Sequence, residues 1–275
     1  MSDGLGFQQS SLAWIAIIAW LACAGAIAQE RAGDAVSRGQ ALARRVLQAQ
    51  ETSGFQVRAR VVVGAGEEGE PESSILQIRI VGRRDKSVMR VMYQIFWPPA
   101  LKGLAVVFEQ TRIAAVKGFL FEPPDRVTPL IPSLMATSFA GTGLTLEDLA
   151  ENFWLWARQR VAGEGRAGDQ ACTILESRPA PEEHSGYTLV RSCISVKKAT
   201  PLWIEKIGAD GKRIKRIAFE AADRKSKEAG FRAAMVVASD VPAQRTRVEI
   251  LRSERGITIS PAEFTIENLK SLAVK

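Results

Sequence analysis

Few residues in this chain are of types that could carry out chemistry. The 275 residues include three cysteines and one histidine, His184, which lies in the turn-like segment EEHSG; this nearly excludes a histidine-centred catalytic triad and a metal centre built from several histidines. Glu147 and Asp148 are adjacent, so their side chains point in different directions and make a poor acid–base pair. They suit the first turn of a helix better, because carboxylates stabilise the positive end of the helix dipole. We therefore expect no enzyme active site, no cofactor and no metal.

One motif imitates a nucleotide-binding loop. Residues 64–69 read GAGEEG and fit the pattern G-x-G-x-x-G, which binds pyrophosphate when a helix follows it directly. Here the segment EPESS and a further strand-like run follow instead, and Glu67 and Glu68 would repel a phosphate. The motif therefore predicts a hairpin loop rather than a nucleotide site.

Two cysteines are placed so that they could form a disulfide bond. Cys172 and Cys193 lie in the strand-like runs QACTILESR and GYTLVRSCISV, which are separated by the turn-like segment PAPEEHSG. If the runs pair antiparallel with Cys172 opposite Cys193, the centre of the loop falls between Glu182 and Glu183, inside that segment. The sequence thus predicts a cross-strand disulfide, which requires an oxidising compartment. Two buried free thiols are the alternative.

The N-terminus carries the only segment that is apolar enough to enter a bilayer. Residues 12–28 read LAWIAIIAWLACAGAIA, hold no charge and end in an A-x-A pattern, which are features of a secretory signal and its cleavage site. We expect a signal peptide over residues 1–28 and one mature domain over residues 29–275. An uncleaved membrane anchor is the alternative, because no lysine or arginine precedes the apolar run.

The rest of the chain is dominated by the two-residue periodicity of β-strands. Apolar and polar residues alternate over 55–63, 76–80 and 89–97, and further strand-like runs, among them 153–161, continue to residue 252. Two segments differ: helical spacing runs from Asp34 to about Gln50, and residues 123–152 are rich in proline and glycine. We therefore predict a mainly β protein, with a single large antiparallel sheet, an N-terminal helix and a short helical insert.

The chain is basic, with a net charge of +7. Its lysines and arginines are scattered over alternating strand positions rather than gathered in one patch. This pattern fits solvated sheet edges that resist aggregation, or contact with anionic headgroups or an acidic partner. We do not expect nucleic acid as a partner, because the N-terminal segment directs the chain out of the cytoplasm.

Four stretches, in their order along the chain, resemble the outer-membrane lipoprotein-sorting proteins. These are the LolA-like periplasmic carriers, and the likeness is strongest to an uncharacterised branch of that family. The stretches are RVMYQIFWPPALKGLAVV (90–107), SFAGTGLTLEDL (138–149), PLWIEKIGADGKRIKRIAF (201–219) and residues 246–269. The resemblance implies a periplasmic protein whose sheet curves into an incomplete β-barrel, with a hydrophobic cavity for acyl chains and helices that cover the mouth.

The apolar strand faces and the aromatic segments indicate which residues would line such a cavity. We expect these ten: Val57, Val61, Ile78, Val91, Tyr93, Ile95, Trp97, Phe108, Phe121 and Trp154. The hypothesis from the sequence is a monomeric periplasmic carrier or chaperone that binds lipid or lipoprotein acyl chains for transfer to the outer membrane. The alternative is a lipid- or lipoprotein-sensing accessory module of an inner-membrane transporter of the RND or ABC type.

Overall fold

The computed structural model describes residues 33–64, 74–111, 116–221, 233–240 and 243–274. The expected signal peptide or anchor over residues 1–28, and all of the G-x-G-x-x-G motif except Gly64, lie outside these ranges. Among the helices in the described ranges, none is both long and apolar enough to span a membrane.

Thirteen strands in the described residues form one antiparallel sheet. They are β1 (Gly54–Val63), β2 (Ser74–Asp85), β3 (Val88–Trp97), β4 (Ala105–Gln110), β5 (Lys117–Glu122), β6 (Arg126–Pro129), β7 (Arg158–Ala167), β8 (Gln170–Arg178), β9 (Leu189–Ser195), β10 (Pro201–Ile207), β11 (Arg213–Ala221), β12 (Ala233–Asp240) and β13 (Ala243–Arg255). The order across the sheet is β6-β5-β4-β3-β2-β1-β13-β12-β11-β10-β9-β8-β7. The sheet is curved but does not close, so β6 and β7 form its two edges. The predicted fold class, a mainly β protein with an incomplete barrel, is confirmed.

Four α-helices accompany the sheet in the described residues. They are α1 (33–50), α2 (Pro132–Met135), α3 (Leu146–Ala150) and α4 (Ile266–Val274). The helix α1 is already formed at residue 33, so Asp34 lies inside it rather than at its start, 3.6 Å from Arg38 one turn later. The segment 123–152 contains α2 and α3 as expected, together with the short strand β6, which the sequence did not predict.

The predicted strand at 153–161 is wrong in its first half. Residues Asn152–Leu155 form a 3-10 helix, and β7 begins only at Arg158. In a strand, Phe153 and Trp154 would point to opposite sides of the sheet. Both are buried in the same hydrophobic cluster, and a helical turn is the geometry that lets two neighbouring aromatic side chains pack into one core.

Each face of the sheet packs against a different partner. The side of the sheet that carries Ala59, Ile95 and Val106 is called the inner face. There, the larger hydrophobic cluster is completed by Ala43 and Val46 of α1 and by the segment 130–156. The outer face carries a smaller cluster, in which side chains of β2 to β5 pack against the C-terminal helix α4. The inner face is therefore the one that could enclose a ligand.

The predicted disulfide joins β8 to β9. Cys172 and Cys193 are bonded, their Cα atoms are 5.4 Å apart, and both residues are fully buried. The register differs from the expected one by two residues, because Cys172 lies opposite Ser195 and Ile174 lies opposite Cys193. A shift of two residues leaves every side chain on its own face, so the two cysteines still meet, diagonally across the strand pair.

Candidate functional site

A cavity of about 350 Å³ lies on the inner face, at the end of the sheet where β1 begins. It is bounded by α1, by α3 with the turn after it, and by β1, β2, β3, β4 and β13. The lining residues are Leu47, Gln50, Phe55, Val57, Arg84, Ser87, Met89, Val91, Tyr93, Gln110, Thr111, Leu149, Ala150, Glu151, Leu155, Ser253 and Arg255. The wall is thus apolar over much of its area, with polar side chains at the strand ends.

The apolar wall depends on a glycine in β2. Phe55 of β1 lies directly opposite Gly82, and a Cβ atom at position 82 would be only 2.1 Å from the Phe55 ring. Because Gly82 has no side chain, the ring can pack against the backbone of β2. Val57 follows two residues after Phe55 on the same face, so strand alternation places both residues in the wall.

Two hydrogen bonds fix the end of α3 over the cavity. The Tyr93 hydroxyl donates to the carbonyl of Leu149 at 3.0 Å, and the Gln110 side-chain amide donates to the carbonyl of Ala150. The last carbonyls of a helix have no partner within the helix, so these contacts satisfy them from β3 and β4. Burial, helped by the nearby Glu151, raises the pKa of Tyr93, so its hydroxyl stays protonated and remains a donor.

Glu151 presents a carboxyl group to the cavity. It ends α3 in the left-handed region, at φ 47°, and it lines the cavity while remaining exposed at the surface. Desolvation of its carboxyl group by nearby protein atoms raises the pKa of Glu151, and the charge of Asp148 adds to this, while Lys206 opposes it. A molecule in the cavity would therefore meet a carboxyl group that loses its proton less readily than one in water.

Beside the cavity, Asp148 forms the centre of a buried ionic network. Its carboxylate accepts hydrogen bonds from Lys206 at 2.5 Å, from Lys215, from the Tyr187 hydroxyl at 2.9 Å and from the backbone N–H of Thr145 at 2.8 Å. The Lys206 ammonium also lies 4.8 Å from the centre of the Tyr187 ring, a cation–π contact. None of these side chains lines the cavity, so the network fastens α3 to β10 and β11 rather than touching a ligand.

The Asp148 carboxyl group remains ionised. Burial alone would raise the pKa of Asp148, but the charges and hydrogen bonds of Lys206 and Lys215 outweigh burial and hold that pKa well below its ordinary value. Burial lowers the pKa of Lys215, although Asp148 opposes that change. The helix-start role predicted for Asp148 is confirmed by a capping box with Thr145, whereas its bonds to the two lysines were not predicted.

The ten residues predicted for the cavity fall into three groups. Val57, Val91 and Tyr93 line it. Five more belong to the inner-face cluster beside it and are buried against neighbouring side chains: Val61, Ile78, Ile95, Phe108 and Trp154. Trp97 and Phe121 lie on the outer face. Much of the space expected to be hollow is therefore filled by the protein's own core.

Both displaced aromatic residues have a clear structural cause. Trp97 lies opposite Gln77 while Ile95 lies opposite Ile78, so Phe96 forms a β-bulge that turns Trp97 away from the face of Ile95 and leaves it 48% exposed. Phe121 lies opposite Ala105 of β4, and both pack in the outer cluster. Neither residue belongs to the cavity.

Several cavity residues were missed by the sequence analysis. Phe55 and Met89 share the faces of Val57 and Val91, so the same alternation could have found them. Leu47 follows the helical spacing of α1. The arginines at the rim carry no such signal, because an arginine at the end of a strand usually faces solvent.

A family model described as "-like: Uncharacterized protein" matches residues 97–271, more than half of the chain. The chain belongs to this family of uncharacterised proteins. No curated protein sequence matches it significantly.

Solved structures show which fold this family member has. A domain from Vibrio parahaemolyticus assigned to outer membrane lipoprotein sorting is 16% identical, with a TM-score of 0.73 over 86% of this chain and 99% of that one. A DUF1329 family protein from Desulfovibrio piger gives the same values. A LolA superfamily protein from Nitrosomonas europaea is 12% identical, with a TM-score of 0.59 over 82% of this chain and 97% of that one. The family member thus has a LolA-like fold, which confirms the resemblance inferred from its sequence.

Proposed function

We propose that this LolA-like protein is a periplasmic carrier that holds an acyl chain of a lipid or lipoprotein in the inner-face cavity and passes it towards the outer membrane. The observation that carries the proposal is the cavity itself, because its wall of Leu47, Phe55, Val57, Val91 and Leu155 is apolar and opens at one end of the barrel. Its volume of about 350 Å³ lies within the range of small-molecule sites.

The energetics of such a cavity suit a carrier. Each buried CH₂ group contributes about 0.8 kcal/mol, so ten of them would contribute about 8 kcal/mol before the cost of ordering the chain is subtracted. This gives binding that is reversible and that would allow release to an acceptor. The buried disulfide and the expected export signal support a periplasmic location.

The proposal includes a partner class and excludes catalysis. A carrier of this kind needs a donor in the inner membrane, and a transporter of the RND or ABC type would supply it. The protein would act as a monomer and would change no covalent bond of its cargo. Isolation in a stable complex with such a transporter, without bound lipid, would favour the sensing module instead.

The test is binding of a dansyl-labelled fatty acid to the mature chain, residues 29–275, followed by fluorescence. We expect the wild type to bind the probe, and Val57→Phe and Val91→Phe to weaken binding about tenfold or more, because the added ring fills the cavity. The matched control is Val196→Phe, at a position 54% exposed and outside the cavity, which should bind like the wild type. A wild type that takes up no probe, and yields no lipid in native mass spectrometry, would overturn the proposal.

A further inference from the structure

An arginine at the rim of the cavity has a buried donor without a partner. Arg84, near the end of β2, lies opposite Met89 and lines the cavity. Its Nε atom is buried and has no hydrogen-bond partner among the described residues. It forms an ion pair with the Glu51 carboxylate, whose oxygen is 3.8 Å away, a distance too long for a hydrogen bond. Buried donors of this kind are rare in folded proteins and call for an explanation.

A second arginine lies at the same end of the cavity. Arg255 of β13 is opposite Phe55, and the backbone N–H of Arg84 bonds the carbonyl of Ser53 just before β1. The two guanidinium groups therefore flank the start of β1 from its two neighbouring strands. Arg255 uses one Nη atom to bond the carbonyl of Gln50 at 2.9 Å and is otherwise exposed.

The cavity thus combines an apolar wall with two guanidinium groups at the strand ends around the start of β1. Guanidinium groups bind carboxylates and phosphates through paired hydrogen bonds, and the hydroxyls of Ser87 and Ser253 line the same rim. Two carboxylates oppose this basic character: Glu151 lines the cavity and is exposed, and Glu51 lies 3.8 Å from Nε of Arg84. Desolvation raises the pKa of Glu151, which weakens its attraction for a cation.

We propose that the cavity selects an amphiphile with one alkyl chain and an anionic head, and that the head binds at Arg84 and Arg255. This deepens the proposed function and rests on it. The cavity volume of about 350 Å³ suits one chain rather than the several chains of a fully acylated lipoprotein. The shared chemistry is the anionic head, which a fatty acid or a single-chain phospholipid could supply.

The test compares four ligands of equal chain length by isothermal titration: dodecanoate, dodecyl phosphate, dodecyltrimethylammonium and dodecyl maltoside, each below its micellar concentration. We expect the two anions to bind at least about tenfold more tightly than the other two. The ranking of dodecanoate against dodecyl phosphate tells a fatty acid from a phosphate head, and inorganic phosphate alone should not bind.

Arginine variants test where the anionic head group of the ligand binds. Arg84→Gln and Arg255→Gln should each remove most of the preference for the anions over dodecyl maltoside. Arg252→Gln is the matched control, because Arg252 lies in the same strand as Arg255 but is 71% exposed and does not line the cavity. It should behave like the wild type.

The failures of the two proposals can be told apart. Equal binding of all four ligands, or tighter binding of the ammonium, would overturn the anionic site and leave the carrier intact. Binding of none of them would overturn both. If Arg84→Gln does not fold, the ligand series on the wild type and on Arg255→Gln still decides the question.

Discussion

Asp148 combines two tasks at a fully buried position. It caps α3 through Thr145, and it neutralises Lys206 and Lys215 on the neighbouring strands β10 and β11. Among the residues that the structure describes, neither lysine forms a salt bridge with another carboxylate. If one partner of such a buried pair is removed, the other charge remains without compensation.

We expect Asp148→Asn to lower the free energy of unfolding by about 3–5 kcal/mol, measured by urea denaturation at pH 7. The exposed Asp169→Asn, in the turn between β7 and β8, is the control and should change it by less than about 0.5 kcal/mol. A similar small effect for both variants would contradict the network.

Comparison of the wild type with Asp148→Asn also measures how the contribution of Asp148 to the free energy of unfolding depends on pH. The pKa of Asp148 is lower in the folded protein than in the unfolded chain, so its contribution is fully present above the ordinary aspartate pKa of about 3.9 and is lost as the pH falls below it. The difference in the free energy of unfolding between the wild type and Asp148→Asn should therefore be constant from pH 7 to about pH 5 and decrease below about pH 4.

The sequence predicts which face of the sheet carries the two lysines of this network, but not which residue neutralises them. Lys206 lies two residues after Ile204 and Lys215 two residues before Ile217, so strand geometry places both lysines on the apolar inner face with those isoleucines. Their partner could not be predicted, because Asp148 is 58 and 67 residues away along the chain. The misplacement of Trp97 has a similar origin, since alternation predicts a face only until a bulge such as the one at Phe96 interrupts it.

At the scale of the elements, α1 approaches the edge strand β7 closely. A Cβ atom on Gly39 would be 2.6 Å from the Cα atom of Arg160. Gly33, in the same helix, has no such neighbour within 4 Å. A substitution at Gly39 therefore tests the packing of α1 on β7, whereas the same substitution at Gly33 reports helix propensity alone.

We expect Gly39→Ala to destabilise the protein by about 1–3 kcal/mol, because the added methyl group pushes α1 away from β7. Gly33→Ala should be neutral or stabilise by up to about 1 kcal/mol, because alanine favours the helix. Urea denaturation of both variants measures the difference. Equal stabilisation by both would contradict the observed contact of α1 with β7.

The elements were more predictable than their register. Alternation predicted β1, β2 and β3, and helical spacing predicted α1. The run FWLW at 153–156 was wrongly predicted as a strand, because the prediction weighed the β-propensity of its aromatic residues above the need to bury Phe153 and Trp154 together. The disulfide was predicted correctly with a register error of two residues, since a cysteine pair specifies the face but not the direct opposition of its members.

At the scale of the whole molecule, the two covers of the inner face are held differently. The segment 130–156 is tied to β12 and β13 by hydrogen bonds of Gly141 and Gly143 and to β10 and β11 by Asp148. The described part of α1 is held on the inner face by apolar contacts of Ala43 and Val46 and at its end by Arg255. We therefore expect α1, rather than the insert, to be the cover that moves.

We expect dodecanoate to slow amide hydrogen exchange in α1, at residues 40–50, more strongly than in α3, because a ligand that fills the cavity holds the mobile cover closed. Mass spectrometry of peptic fragments measures this. Val91→Phe provides the control, since it should not respond to the ligand. Protection confined to α3 would show that the insert opens instead.

The neighbouring positions of β1 and β13 have a consequence for how the protein is made. Residues 55–63 pair with residues 246–255, and this seam joins the two runs of strands, β1 to β6 and β7 to β13. The chain leaves the ribosome N-terminus first, so β1 must wait with a bare edge until nearly the whole polypeptide exists. A bare strand edge recruits other chains. Changes that weaken β13 should therefore appear first as aggregation of newly synthesised protein.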